Sequence, residues 1–372
     1  MRNDIIRITI FIFLFYSSSL FAEKHTEDEK IKKRPKIGLV LSGGGAKGLA
    51  HVGVLKVLEE LNIYPDYITG VSMGSIVGGL YAIGYSASDL DRLVKSTDWN
   101  KVFSDQLNYH QVNYNVKDEY RKYQLQLSGN SFEETSLPIG VVGGQIISEL
   151  FSELTWRATG IESFDDFPIP FRCTATDLIS GTSYLFKSGS LVNAMRASMS
   201  IPGVFSPVPY KNTLLVDGGI LNNFAVDVAI NMGGDIIIGS DVGGGMQPKE
   251  KLNSISGLLF QASMLTSNLK NEESKALCNI LINHVPNISY STGDFEKGDL
   301  IYEQGKIATN QNIKQLVLLA ENLKQFKQLK HELPKYERTI VLDSIVYKGI
   351  SPANLDLVKA RTNIKANKEY VP

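Results

Sequence analysis

Cysteine is nearly absent, with Cys173 and Cys278 the two in 372 residues. Two cannot build a disulfide framework, and no CxxC pair is present to hold zinc. Histidine is scarce as well, with five scattered residues and no HExxH pattern, so no metal ligand set is visible. No oxygen-rich calcium loop is present either. Neither sign of charge dominates: 38 Lys and Arg stand against 39 Asp and Glu, for a net charge of −1. That balance excludes the basic footprint of a dedicated nucleic-acid binder. The chain is 43% apolar and 21% charged, which excludes disorder over most of its length. Its length predicts about two domains. The 32 glycines follow no collagen-like period and point to tight turns and strand-to-helix corners. No internal repeat is visible.

Residues 1–22 read as a signal peptide. Arg2 and Arg7 flank the start, residues 8–16 are almost wholly apolar, and Ser17, Ser18, Ser19 and Ala22 are small. Cleavage is expected after Ala22, although Leu20 is a poor residue three places before the cut. The apolar run is shorter than the ~20 residues of a spanning helix. No cysteine follows it, so a lipoprotein anchor has no attachment point. Residues 23–36 are mixed in charge and read as a solvated linker.

From Ile37 the texture changes. Residues 36–42 read as a buried strand of a parallel sheet. Gly43-Gly44-Gly45-Ala46-Lys47-Gly48 follows, and then Leu49, Val52, Leu55, Leu58 and Leu61 recur along one helical face. A second strand at 67–69 runs into Gly70-Val71-Ser72-Met73-Gly74 and a small-residue helix over 75–83. Further strands are expected at 171–176, 214–216 and 236–238, and helices at 86–95, 144–157, 191–199 and 225–231. Polar and aromatic alternation over 108–132, including 123–127, predicts two strands outside the main sheet. Long helices are expected over 255–281 and 311–330.

Three motifs can carry chemistry. Gly43-x-Gly45-x-x-Gly48 has the form of a dinucleotide fingerprint, but no acidic residue ends the second strand to hold a ribose. Gly48 is followed by Leu49, so the phosphate-binding Lys-Ser of a P-loop is missing. What remains is a ring of backbone N–H groups at a helix N-terminus, a place that stabilises negative charge, or a corner that merely turns the chain. Gly70-x-Ser72-x-Gly74 lies between a strand and a helix, as a nucleophile turn does; the bland alternative is a tight turn with Ser72 as helix cap. The two corners are expected side by side at the carboxyl edge of the sheet, where the loop could donate to an oxyanion on a carbonyl attacked by Ser72.

A nucleophilic serine needs a base. His284 and His331 come late enough for a triad, but neither has a strand-end context in the sequence, and both read as ordinary surface or partly buried residues. His51 reads as packing on the first helix. Asp217, in Asp217-Gly218-Gly219 after a short strand, is the favoured base, because the glycines allow close approach. Asp177 is the rival at another strand end.

Taken together these residues resemble the patatin-like phospholipase family. Gly43 to Gly48 resembles its oxyanion loop, with Lys47 at the family's basic position. Residues 70–74 resemble its nucleophile turn, and Asp217-Gly218-Gly219 its aspartate turn. Residues 167–171, 194–198 and 201–207 are similar to bacterial members. The similarity runs over 37–242 and more loosely to 330; Ala225 departs from it, standing where many members carry proline. The resemblance implies an α/β fold, a three-layer α/β/α sandwich with a mainly parallel central sheet and a Ser-Asp dyad at its carboxyl edge. It implies Ser72 as nucleophile, Asp217 as proton acceptor, Gly43, Gly44 and Gly45 as the oxyanion hole, no cofactor and no metal. Lys47, Gly48, Gly70, Gly74, Gly218 and Gly219 are motif positions. The implied substrate is a phospholipid or other acyl-lipid ester, met at a membrane surface. Acyl transfer by the same dyad, and a non-catalytic module of an outer-membrane secretion protein, are the alternatives.

Residues 338–347 read as a strand and Ser351 as the cap of a short helix, similar to the opening of a POTRA module. The segment 331–372 would be an incomplete copy, preceding an outer-membrane barrel absent from this sequence. The other reading is a basic tail strand packed on the main sheet, since ten Lys and Arg face five Asp and Glu from Lys324 onward. The domain plan is thus 1–22 signal peptide, 23–36 linker, 37–330 catalytic domain and 331–372 tail. The setting is export to the periplasm, outer membrane or exterior of a Gram-negative bacterium.

Overall fold

Five consecutive buried residues, Ile37–Leu41, form β1, and their burial on both faces shows where the core lies. Leu39 and Leu41 pack into the larger apolar cluster, whereas Val40 packs into a second cluster with Val226, Ala229 and Ile237. Alternating side chains of one strand thus feed two cores, as a sheet covered on both faces requires. The computed structural model describes residues 33–105, 140–246, 249–252, 255–285, 287–327, 340–362 and 364–370. The chain parts into Met1–Pro35 and Lys36–Pro372, and the sheet, its helices and the site all belong to the second unit.

After β1, a 3-10 turn at Gly45–Leu49 leads into α1 (Ala50–Glu60). Then come β2 (Tyr67–Val71), α2 (Met73–Ala82), α3 (Ala87–Ser96) and α4 (Trp99–Ser104). Next are β3 (Gly140–Val142), α5 (Gln145–Leu154), β4 (Phe171–Asp177), β5 (Thr182–Phe186), α6 (Leu191–Ser198), β6 (Gly203–Phe205), β7 (Val208–Tyr210) and β8 (Thr213–Asp217). A short α7 (Gly219–Asn222), α8 (Val226–Asn231), β9 (Ile236–Asp241), α9 (Ile255–Ser263), α10 (Leu265–Ala276), β10 (Ile280–Asn283), α11 (Gly298–Asn310) and α12 (Ile313–Leu323) complete the body.

The main sheet runs β10-β9-β1-β2-β4-β8-β7, with β5 also paired to β4. Neighbours from β10 to β4 are parallel, and β5, β7 and β8 are joined antiparallel. The fold is an α/β arrangement, a mostly parallel mixed sheet with helices on both sides. β1 and β2 are neighbours, so the two glycine corners do share one edge. β4 extends beyond β2, and β8 runs back along that extension with Asp217 opposite Ala175. Its last residue is therefore delivered to the edge where β2 ends.

The expected helix over 255–281 is broken. It divides at Met264, ends at Ala276, and residues 280–283 instead add β10 to the sheet. Asn279 decides this: its N–H donates to the Ile237 carbonyl and its Oδ1 accepts from the Ile237 N–H. Those two bonds capture the chain against β9 and override the apolar run that reads as helix. The helix expected over 311–330 forms as Ile313–Leu323, with 328–330 outside the described residues. Residues 1–32, the strands expected over 108–132, and His331 also lie outside them.

Near the C-terminus β11 (Ile340–Val341) pairs antiparallel with β12 (Glu369–Tyr370), with α13 (Pro352–Thr362) between them. This pair is a sheet of its own and adds no strand to the main one. Cys173 is buried in β4 and Cys278 is half-buried, both without a disulfide. Among the described residues no helix is long and apolar enough to cross a membrane.

Candidate active site

Ser72 sits between β2 and α2 with φ 52° and ψ −122°. A non-glycine residue held at positive φ costs of order 1–3 kcal/mol, which the surroundings must offset. Here the Ser72 N–H donates to Ser198 Oγ at 2.9 Å, and Ser75 Oγ donates to the Ser72 carbonyl at 2.6 Å. The flanking glycines are a steric requirement. A Cβ on Gly70 would overlap the Gly74 carbonyl oxygen, and one on Gly74 would overlap that of Leu41. The turn is therefore sharp, and it turns the serine hydroxyl toward β8.

Ser72 Oγ donates to Asp217 Oδ2 at 2.7 Å. The other oxygen, Oδ1, accepts from the Gly219 N–H at 2.7 Å, and Thr176 Oγ1 donates to the Asp217 carbonyl at 2.9 Å. Asp217 is 5% exposed. Burial pushes its carboxyl up to about 6, against the opposing pull of the hydrogen bonds from Ser72 and Gly219. The rival Asp177 pairs opposite Leu215, two residues further out along β4, roughly 7 Å from the Asp217 level. Its Oδ1 accepts from the N–H groups of Ile179 and Ser180 and from Thr213 Oγ1, so its carboxylate organises a turn.

The glycine loop approaches from β1. The Gly43 N–H donates to the Asn223 carbonyl at 3.2 Å, Asn223 Nδ2 returns a bond to the Gly43 carbonyl at 3.2 Å, and the Ala46 N–H donates to the Thr292 carbonyl. Gly43 and Ala46 have thus committed their amides to holding the loop. Among the described residues, the amides of Gly44 and Gly45 between them make no backbone hydrogen bond, and both residues line the cavity beside Ser72. A cavity beside Ser72 and Asp217 is lined by this loop, by the buried Lys47, by Asn223 and by a second glycine run, Gly243 to Gly245. Ser72 also lines an apolar cavity of about 410 Å³, walled by Met73, Ile76, Trp99, Phe103, Phe205 and Phe295. Phe103 and Phe295 stack with ring centroids 4.1 Å apart.

Sequence reading places Ser72, Asp217 and the loop together, and they meet, but Gly43, expected among the oxyanion donors, has its N–H bonded to the Asn223 carbonyl instead. It gives no role to Ser198 or Asn223, and it misses the aromatic wall. Trp99 and Phe103 lie one helical turn apart in sequence, a spacing that could have flagged α4 as a cavity face. His284 corrects an expectation. It directly follows β10 and is fully buried, rather than being an ordinary surface or partly buried residue without a strand end. Among the described residues no group of three His, Cys, Asp or Glu side chains is placed to hold a metal ion.

The sequence pattern described as patatin-like phospholipase matches residues 39–230, from within β1 to within α8. This chain belongs to the patatin-like phospholipase family. Ser72, Asp217 and the glycine loop all lie inside the matched span. The patatin-like chain is 28% identical over 306 residues to a lysophospholipase NTE1 of Lodderomyces elongisporus, covering 74% of this chain and 19% of that protein. It is 31% identical over 227 residues to the human patatin-like phospholipase domain-containing protein 6, covering 60% of this chain and 15% of that protein. It thus spans less than a fifth of the length of these relatives. Among solved structures, VipD of Legionella pneumophila aligns with a TM-score of 0.41 at 15% identity, covering 76% of this chain and 67% of that one.

Proposed function

We propose that this patatin-like chain hydrolyses acyl esters of phospholipids or lysophospholipids through a Ser72–Asp217 dyad. The observation that carries the reading is the 2.7 Å hydrogen bond from Ser72 Oγ, which lines both cavities, to the buried Asp217, which lines the first. Ser72 Oγ attacks the ester carbonyl carbon while its proton passes to Asp217 Oδ2. Negative charge grows on the carbonyl oxygen, where the Gly44 and Gly45 amides receive it. Collapse breaks the ester bond, and the leaving alkoxide takes the proton from Asp217. Water then attacks the acyl-enzyme, its proton goes to Asp217, and collapse returns the proton to Ser72 Oγ and frees the fatty acid. The apolar cavity suits the acyl chain. Relatives named lysophospholipases support substrates of this class. Fatty-acid release from lysophospholipid and diacyl phospholipid, with the Ser72→Ala variant as control, tests the reading.

A carboxylate is a weak base for a hydroxyl unless desolvation strengthens it. Its raised pKa predicts the acid limb. Asp217 must be ionised to accept the proton, so kcat/KM should fall tenfold per pH unit below about 6. His51 and His284, pushed down by burial to about 4 and about 3, stay neutral through this range. An acid limb that persists unmoved near pH 6 in a chain with residual Asp217→Glu activity would assign it to another group.

Contact with a lipid surface belongs to the same proposal. α10 is inverted, with Ser267, Asn271 and Ser274 buried while Leu265 and Leu269 face outward. On α9, Leu258 and Leu259 are also exposed, beside Phe260 and Met264 that line the cavity. Paired changes Leu259→Asp and Leu269→Asp should lower turnover of vesicle phospholipid several-fold, and leave a monomeric short-chain ester unaffected. Equal rates on vesicles would remove these helices as the docking face. Export, argued from residues 1–22, is likewise part of the proposal.

A further inference from the structure

Three buried side chains outside the dyad form a continuous hydrogen-bonded line that ends at the oxyanion loop. His51, in the first turn of α1, places Nε2 at 2.9 Å from the Ser42 carbonyl oxygen. Its Nδ1 lies 2.8 Å from Ser240 Oγ on β9. Ser240 Oγ in turn lies 2.9 Å from Nε2 of His284, which follows β10. All three residues are fully buried, and the two rings meet edge-on at 6.2 Å.

The chemistry of the ends fixes the proton on every link. The Ser42 carbonyl can only accept, so His51 carries its proton on Nε2. Burial keeps the ring neutral, which leaves Nδ1 as an acceptor for the Ser240 hydroxyl. Ser240 Oγ then accepts from His284 Nε2–H. His284 Nδ1 is left as a buried lone pair without a partner among the described residues. An unsatisfied buried acceptor destabilises the fold, a cost that packing alone gives no reason to retain. The line has a direction, from His284 through Ser240 and His51 to Ser42, and each donor polarises the next.

Where it ends matters. Ser42 immediately precedes Gly43, so its carbonyl belongs to the Ser42–Gly43 peptide plane. That plane is gripped at both edges: His51 donates to its oxygen, and its N–H donates to the Asn223 carbonyl. Ser42 Oγ additionally accepts from the Val242 N–H at 2.9 Å, which ties β1 to the second glycine run. A peptide plane held at both edges sets the dihedral frame for the next two amides.

We infer that the line His284–Ser240–His51 is a positioning device, which fixes the Ser42–Gly43 peptide and thereby aims the Gly44 and Gly45 amides at the transition-state oxyanion. The inference rests on the hydrolase reading above. Neither histidine touches substrate. Because the oxyanion exists only after attack, a misaimed amide lowers kcat and leaves ground-state binding alone.

The test uses the full chain carrying Ser240→Ala, His51→Leu or His51→Gln, with Ser72→Ala as reference. Each is assayed for lysophospholipid hydrolysis and for inhibition by a long-chain trifluoromethyl ketone, whose adduct with Ser72 is itself an oxyanion. Ser240→Ala and His51→Leu should lower kcat about 10- to 100-fold with KM within about twofold, and weaken the ketone by the same factor. His51→Gln keeps a donor for Ser42 and an acceptor for Ser240 and should recover most of the rate. Binding of the fatty-acid product should not change. If Ser240→Ala fails to fold, the Leu and Gln variants at His51 decide. Wild-type kcat and ketone affinity in Ser240→Ala and His51→Leu, with Ser72→Ala inactive, overturn the inference and leave the dyad standing. Equal losses in His51→Leu and His51→Gln, or a kcat loss without weaker ketone binding, also overturn it. Full activity in Ser72→Ala would instead overturn the hydrolase reading.

Discussion

Ser72→Ala is expected to lower kcat for phospholipid hydrolysis by about 10⁴-fold or more, because no covalent intermediate can form without Oγ. Asp217→Asn should be nearly as damaging, since an amide at the same place cannot take the proton. The two changes should not add, because each alone disables the same step. They differ in stability. Asp217 is buried and its carboxyl is raised to about 6 in the folded chain, against 3.8 unperturbed. The folded state therefore holds its proton more tightly than the unfolded state, and stability attributable to this group falls as pH rises through about 6. At pH 8 the ionised carboxylate costs the fold roughly 1–3 kcal/mol. Asp217→Asn, which preserves Oδ1 for the Gly219 N–H, should raise Tm by a few degrees at pH 8, and the gain should fade as pH drops towards 4. Thermal unfolding at both pH values reads this directly. A variant destabilised at pH 8 would show that the carboxylate is there to hold the turn rather than to take a proton.

The parts of the site that depend on local chemistry were legible in the sequence. Gly70 is forced by the Gly74 carbonyl oxygen within the same turn, so a short pattern suffices to mark it, while Gly74 is forced by the Leu41 carbonyl oxygen at the end of the neighbouring β1. In the sequence the glycines alone favour Asp217 over Asp177, and the structure supplies the reason those glycines matter: a Cβ on Gly218 would overlap the Thr174 carbonyl oxygen. What the sequence hid is long-range. β10 reads as the tail of a helix until Asn279 meets Ile237, 42 residues earlier. α11 contains Gly298, Gly305, Thr309 and Asn310, all poor helix formers. It forms because Gly305 lets it lie directly against the Ala50 backbone of α1, where any side chain would collide. The His51–Ser240–His284 line escaped for the same reason. Its members are 189 and 44 residues apart, and each looks ordinary in its own neighbourhood.

Gly44 offers the sharpest test of the electrophilic half of the mechanism. Its φ of 174° is extended backbone that any residue can adopt, so replacing it brings no backbone strain. The obstacle is packing: a Cβ there would lie 2.6 Å from Val242 Cγ2, a fully buried side chain. Gly44→Val must therefore displace the loop or Val242, and either shift moves the amides that would face the oxyanion. Loss of one such donor costs about 100- to 1000-fold in kcat, or ~3–4 kcal/mol of transition-state stabilisation. That loss should fall on kcat, with KM changed only a few-fold, because the ground-state ester carbonyl makes weaker use of the same donors. The pairing with Val242 makes the effect separable from misfolding. Gly44→Ala alone should lose part of the rate, and adding Val242→Ala removes the methyl groups in its way. The two residues touch, so their effects should couple rather than add. Recovery of kcat in the Gly44→Ala, Val242→Ala double variant, despite the core methyls it lacks, would show that loop position and not overall stability sets the rate. Undiminished kcat in a folded Gly44→Val protein would leave the loop as a corner with no part in the chemistry.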